Sequence, residues 1–181
     1  MTGAEWLVAT DPVEMLLGLT YDGDRPRKLA LTGIAGCRHV WNYLNEEARQ
    51  RIIEAEEFED NSSNAKLIVS GLELNLRREE IGVVCLRELQ RQASFSGASD
   101  LVRCIFGNPF RPATLDPNWR TSTVLTLAQG IYDERAFDRL PILADALQNA
   151  GCANEEMLAH CRGEGPHARG CWVVDLVLGK A

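Results

Sequence analysis

No run of apolar residues in this chain approaches the roughly 20 that a membrane-spanning helix requires, and there is no basic excess. Its 19 lysines and arginines face 26 aspartates and glutamates, a formal net charge of −7 over 181 residues. Without surplus cations to displace phosphate counterions, general nucleic-acid binding is not expected. Met1-Thr2-Gly3-Ala4-Glu5 lacks a basic segment leading into an apolar one, so no secretory signal is expected either. Internal repeats, heptads, low-complexity tracts and paired alternating segments are all missing, which leaves solenoids, coiled coils and β-sandwiches without support. No phosphate-loop, Ser–His–Asp or metalloprotease-helix spacing occurs. Asp133-Glu134 and Asp138 look superficially like paired carboxylates, but Asp138 reads as a helix cap and Glu134 as a solvated residue.

The composition that remains is an ordinary globular mixture, 45% apolar and 25% charged. A chain of this length buries roughly 70% of its unfolded surface, enough for a core without a disulfide or metal. Six cysteines are present. With no export signal, and with Cys37, Cys85 and Cys104 on apolar helical stripes, reduced thiols in a cytoplasm are expected.

Capping signals recur along the chain. Thr2-Gly3-Ala4-Glu5 has capping-box spacing, and Asp11-Pro12-Val13-Glu14 places an acid, a proline and a carboxylate where a helix start favours them. Ala30, Ile34, Cys37, Trp41 and Leu44 form one helical stripe, and Asn45 is placed to cap a helix carrying Ala48, Ile52 and Ala55. Five acids among the seven residues Glu54–Asp60 read as a solvated helix end, leading into a loop over 58–64. Leu67, Ile68, Leu72 and Leu76 suggest another helix, and Ile81, Val84, Cys85 and Leu89 one more. Leu101, Cys104 and Ile105 share a face that Gly107 ends. Asp116-Pro117 or Thr121 restarts the chain, Asp138 begins a helix, Gly151 closes it, and Asn154 caps the next, which ends at Gly163. Trp172–Leu178 is rich in β-branched residues and could be a strand. A buried helix stopped by Gly179 is preferred, because a lone strand would lack a partner. The expectation is an all-α single domain over 1–181 with about eight to ten short helices.

The chain resembles a family of helical proteins of unknown function from planctomycete genomes, especially those of Gemmata type. The matching pieces are Glu5-Trp6-Leu7 with Asp11-Pro12, Cys37-Arg38 with Trp41, Phe106-Gly107-Asn108-Pro109-Phe110-Arg111-Pro112, Phe137-Asp138-Arg139-Leu140-Pro141, and Gly165-Pro166-His167 with Arg169-Gly170-Cys171-Trp172. They are dense only after Leu101. Proteins of this look often carry several cysteines just before the Cys-Arg pair, where this chain has Gly33, Ala35 and Gly36. The resemblance implies a helical fold in a bacterial cytoplasm and no particular activity.

Reactive side chains concentrate in His160–Trp172, which holds two cysteines, two histidines and two arginines. One reading is zinc, the cofactor alternative to none: Cys161, His167 and Cys171 can converge, with Cys37, His39 or water as fourth ligand. On this reading His160, adjacent to Cys161, points about 100° away around the helix. A second is a thiol enzyme with Cys171 as nucleophile, His167 as base and the amides of Gly170 and Cys171 for an oxyanion. Its rival packs Cys171 in the core. A third is a binding spot for an anion or acidic peptide made by Arg162, His167 and Arg169, although Arg162 also suits the C-terminal end of its own helix. The leading expectation is a non-enzymatic intracellular interaction or regulatory module with a protein partner. A zinc-binding helical protein and a thiol enzyme are the alternatives.

Overall fold

The computed structural model describes residues 1–19, 26–39, 41–58, 68–69, 72–73 and 97–180. Within them the fold is all-α, with nine α-helices. These are α1 (Gly3–Val8), α2 (Pro12–Leu17), α3 (Pro26–His39), α4 (Glu46–Phe58), α5 (Ala98–Phe106), α6 (Ser122–Glu134), α7 (Leu140–Asn149), α8 (Glu155–Arg162) and α9 (Trp172–Leu178). No described helix is long and apolar enough to cross a membrane. The chain divides into two compact units: Met1 with Val8–Val102, and Thr2–Leu7 with Arg103–Ala181.

In the first unit, the Asp11 carboxylate accepts from the amides of Val13 and Glu14 at the start of α2. Helices α3 and α4 meet through Ile34, Ile52 and Ala55, with Cys37, Trp41 and Leu44 packed at the margin. Cys37 is therefore half-buried rather than enclosed. The expected single helix through Leu44 ends instead at His39, and a 3₁₀ turn follows over Trp41–Tyr43. Glu56 departs from the solvated acidic face expected of its neighbourhood. It is buried and pairs with Arg38, whose guanidinium also lies 4.1 Å from the Trp41 ring centroid. A buried carboxylate needs such a partner to remain charged.

The helix expected around Ile68 and Leu72 is corrected by a short antiparallel ladder, Ile68 opposite Glu73 and Val69 opposite Leu72. Ile68 and Val69 are both β-branched, which suits a strand better than a helix. Most of the loop expected over 58–64, the stripe carrying Cys85, and the segment around Leu76 lie outside the described residues.

In the second unit the capping signals become bonds. Thr2 and Glu5 cap reciprocally, the Thr2 amide donating to Glu5 Oε2 at 2.7 Å and the Glu5 amide to Thr2 Oγ1 at 3.3 Å. Thr121 accepts from Val124 and Asn154 from Met157. Gly151, at φ 94°, closes α7: its amide bonds Gln148 O, the Cys152 amide bonds Leu147 O, and both Leu147 and Cys152 are buried. Asp138 does not cap. It sits within a 3₁₀ turn, Phe137–Arg139, and α7 starts at Leu140, whose neighbour Pro141 occupies a first-turn position where a missing N–H costs nothing.

Trp172–Leu178 is helical, and Gly179 ends it at φ 71°. Its apolar residues face a core shared by Val124, Ala128 and Ile131 of α6, Leu140, Leu143 and Leu147 of α7, and Met157 and Cys161 of α8. Being apolar on nearly every side is what a buried helix requires, and it is why the segment shows no helical period in sequence.

Candidate metal centre

Cys104, His160, His167 and Cys171 all belong to the second unit, and one ligand atom from each lies within 4.8 Å of all the others. Three parts of the chain deliver them. Cys104 comes from the apolar face of α5, beside Leu101 and Ile105. His160 comes from the last turn of α8, and the loop after α8 brings His167 and then Cys171, the residue immediately before α9.

The helical phase of α8 decides which of two adjacent residues reaches the cluster. Met157, Leu158 and Cys161 form its inward stripe, so the Cys161 thiol is fully buried among apolar side chains. Burial pushes its pKa far up, which keeps it a neutral thiol. His160, turned away from that stripe, lies beside Cys171 instead, with Nε2 3.2 Å from Sγ. The His160 ring is braced by Trp172, centroids 5.5 Å apart, and meets the His167 ring edge-on at 5.0 Å.

The loop is shaped by glycines. Gly165 has φ 92°, and a Cβ there would meet the His167 amide nitrogen at 3.0 Å and its imidazole at 3.2 Å. Gly170, also at φ 92°, lets the chain turn into α9. The Gly165–Pro166 peptide is cis. His167 Nε2 lies 3.1 Å from the Gly163 carbonyl oxygen. A carbonyl can only accept, so Nε2 carries the hydrogen and donates it, leaving Nδ1 as the atom that faces the cluster, 3.7 Å from Cys104 Sγ.

The electrostatics suit an ionised pair. For Cys171, burial alone would raise the pKa, yet bonds from Cys104, His160 and His167 outweigh it and hold the thiol well below its ordinary value. Cys104 moves the opposite way: it donates to Cys171 and is buried, so it keeps its proton. For His167, burial works downward, and the bonds to Cys171 and Gly163 prevail to raise it.

Of the three zinc ligands expected from sequence, His167 and Cys171 are brought together and Cys161 is turned into the core. His160 and Cys104 complete the group. Cys37 and His39 belong to the first unit. The only sequence signal for His160 was its position one residue out of phase with the apolar stripe of α8. For Cys104 there was none, since a lone cysteine on an apolar helix face reads as core and lies 63 residues from His167. Arg162, His167 and Arg169, the expected anion-binding set, each have intramolecular contacts. Arg162 bonds Asp145 at 2.8 Å and Gln148 at 2.7 Å, and Arg169 lies 4.5 Å from the Tyr132 ring centroid.

Cys171 is 1% exposed. An open groove of about 620 Å³ on the same unit is lined by Leu125, Thr126, Gln129, Gly130, Asp133 and Leu178, and contains none of the four donors. No family profile, curated protein or solved structure matches the chain.

Proposed function

We propose that this is a zinc-binding helical protein of a bacterial cytoplasm, in which Cys104, His160, His167 and Cys171 hold one structural Zn²⁺. The observation that carries the reading is the convergence of four donor atoms within 4.8 Å. A tetrahedral zinc at about 2.3 Å from sulfur and 2.0–2.1 Å from nitrogen sets its donors about 3.3–3.8 Å apart, inside that span. The His167 Nε2–H to Gly163 bond adds support, because a ligating imidazole commonly donates its other N–H to fix the ring. Two sulfurs and two imidazoles suit zinc and disfavour magnesium or calcium, which take oxygen. Four protein donors leave no open coordination position, which favours a structural role over a hydrolytic one. On this reading the Gly165-Pro166-His167 and Cys171-Trp172 motif behind the planctomycete resemblance is a ligand loop.

The interaction-module and thiol-enzyme readings have less behind them. Arg162, His167 and Arg169 are engaged within the chain, and a catalytic thiol needs a substrate cavity beside it, whereas Cys171 is almost fully enclosed.

Protein purified under reducing conditions should carry about one zinc per chain, a stoichiometry that follows from one four-donor site. Cobalt(II) in its place should give the visible absorption of a tetrahedral sulfur–nitrogen complex. Protein that is metal-free and also takes up neither ion on reconstitution would refute the proposal. Binding must displace the proton that Cys104 retains and the one whose affinity is raised at His167. Zinc affinity should therefore fall as pH falls, most steeply below the folded pKa of His167, which is raised above the ordinary imidazole value. Competition titrations against a chelator of known pH dependence measure this, and a flat profile from pH 8 to 6, a range chosen to span about that value, would contradict it.

A further inference from the structure

Resting on the zinc reading, we infer that the site is a peroxide-responsive clasp: oxidation joins Cys104 to Cys171 as a disulfide and releases the zinc, while α5 stays tied to the start of α9. The donor set contains two sulfurs and no more, and they lie within 4.8 Å of each other. Sulfurs held by one tetrahedral zinc sit about 3.8 Å apart, and a disulfide brings them to about 2.05 Å. The movement is small. Cys171 can supply it, since it lies directly after Gly170 and outside the helix proper (φ −48°, ψ 124°).

The chemistry balances with hydrogen peroxide as oxidant. One thiolate sulfur attacks a peroxide oxygen and the O–O bond breaks, giving a sulfenic acid and hydroxide. The second thiolate attacks that sulfur, forming the S–S bond and expelling a second hydroxide. The two thiolates together lose two electrons, and the peroxide gains them. With both sulfurs consumed, His160 and His167 alone hold zinc weakly. The histidines are the half-buried members of the cluster and the sulfurs its enclosed ones, so peroxide enters and the ion leaves on the histidine side. Cys152 and Cys161 do not compete, because both are buried in the apolar core and neither belongs to the cluster.

The test treats reduced, zinc-loaded full-length protein with peroxide while a colorimetric chelator reports free zinc, followed by peptide mapping. The expected result is one equivalent of zinc released with formation of a Cys104–Cys171 disulfide, both reversed by a dithiol reductant and added zinc. Cys152 and Cys161 should be recovered as thiols. Zinc retained under peroxide, release with the two sulfurs ending as sulfinic acids, or a disulfide between other cysteines each overturn this inference and leave the metal site standing. Zinc content before oxidation separates the two: reduced protein that never holds zinc removes the site and the clasp together.

Discussion

Cys171→Ser protein is expected to lose its zinc, while Cys161→Ser protein keeps it. The two cysteines lie at the two ends of one short loop and were equally plausible ligands by spacing. In the fold one sulfur meets His160 at 3.2 Å and the other packs against Met157, Leu158 and the helices around them. Substituting Cys171 removes a donor outright, which should cost more than the about 10–100-fold typical of losing a partner one step further out. Substituting Cys161 places a hydroxyl among buried apolar side chains, costing about 1–3 kcal/mol of stability and leaving the donors in place. Zinc content and thermal melts of both variants decide between the ligand sets. Loss of zinc in Cys161→Ser as well as in Cys171→Ser would favour the set of Cys161, His167 and Cys171. The melts also report what the metal contributes. A ligand present at about 1,000 times its dissociation constant adds about 4 kcal/mol to the folded state. Metal-free parent protein should therefore melt roughly 8–16 °C lower, at about 2–4 °C per kcal/mol for a chain of this size.

The helices were legible because their ends are written locally. Asp11, Thr121 and Asn154 each bond an amide two or three residues ahead, and Gly151 and Gly179 each stop a helix in a left-handed conformation. Such signals need no knowledge of the rest of the fold. Arg135 shows where they run out: it ends α6 at φ 53° without being glycine or asparagine, so nothing in its identity announces the turn. Ile68 and Leu72 are four residues apart and fit a helical stripe, but the strand pairing of their segments depends on what packs against them.

The metal centre was half legible for the same reason. His167 and Cys171 share one loop, so a local reading found both. Choosing between His160 and Cys161 needed the phase of α8, which was available: Met157, Leu158 and Cys161 are one stripe, and a residue consumed by the core is not free to bind a metal. Cys104 was out of reach. Its proximity to the loop comes from the packing of α5, and no spacing rule links two residues so far apart in the chain.

That same packing makes Gly107 a sensitive backbone position beside the centre, and Gly107→Ala should be strongly destabilising. Gly107 ends α5 at φ 62°, where a Cβ is costly in itself, about 1–2 kcal/mol. The added methyl would also lie 3.1 Å from two carbons of the Trp172 ring. The ring has little room to yield, being 8% exposed and packed on the His160 imidazole. Forcing an extra carbon into a filled space costs about 1–3 kcal/mol more. A sum of about 2–5 kcal/mol corresponds to a fall in melting temperature of roughly 4–20 °C. The Gly107 carbonyl also accepts the Trp6 indole N–H at 2.8 Å, so a shift there disturbs the seat of α1 as well. Because Trp172 follows Cys171 directly and braces His160, the substitution should weaken zinc binding along with stability. Gly163→Ala provides the comparison. Its φ of −67° is ordinary, and the nearest atoms to an added Cβ are carbonyl oxygens at 3.4 and 3.5 Å, so its melting temperature should stay close to the parent's. If both variants melt like the parent and hold zinc equally well, the close approach of α5 to the Trp172 ring does not position the centre.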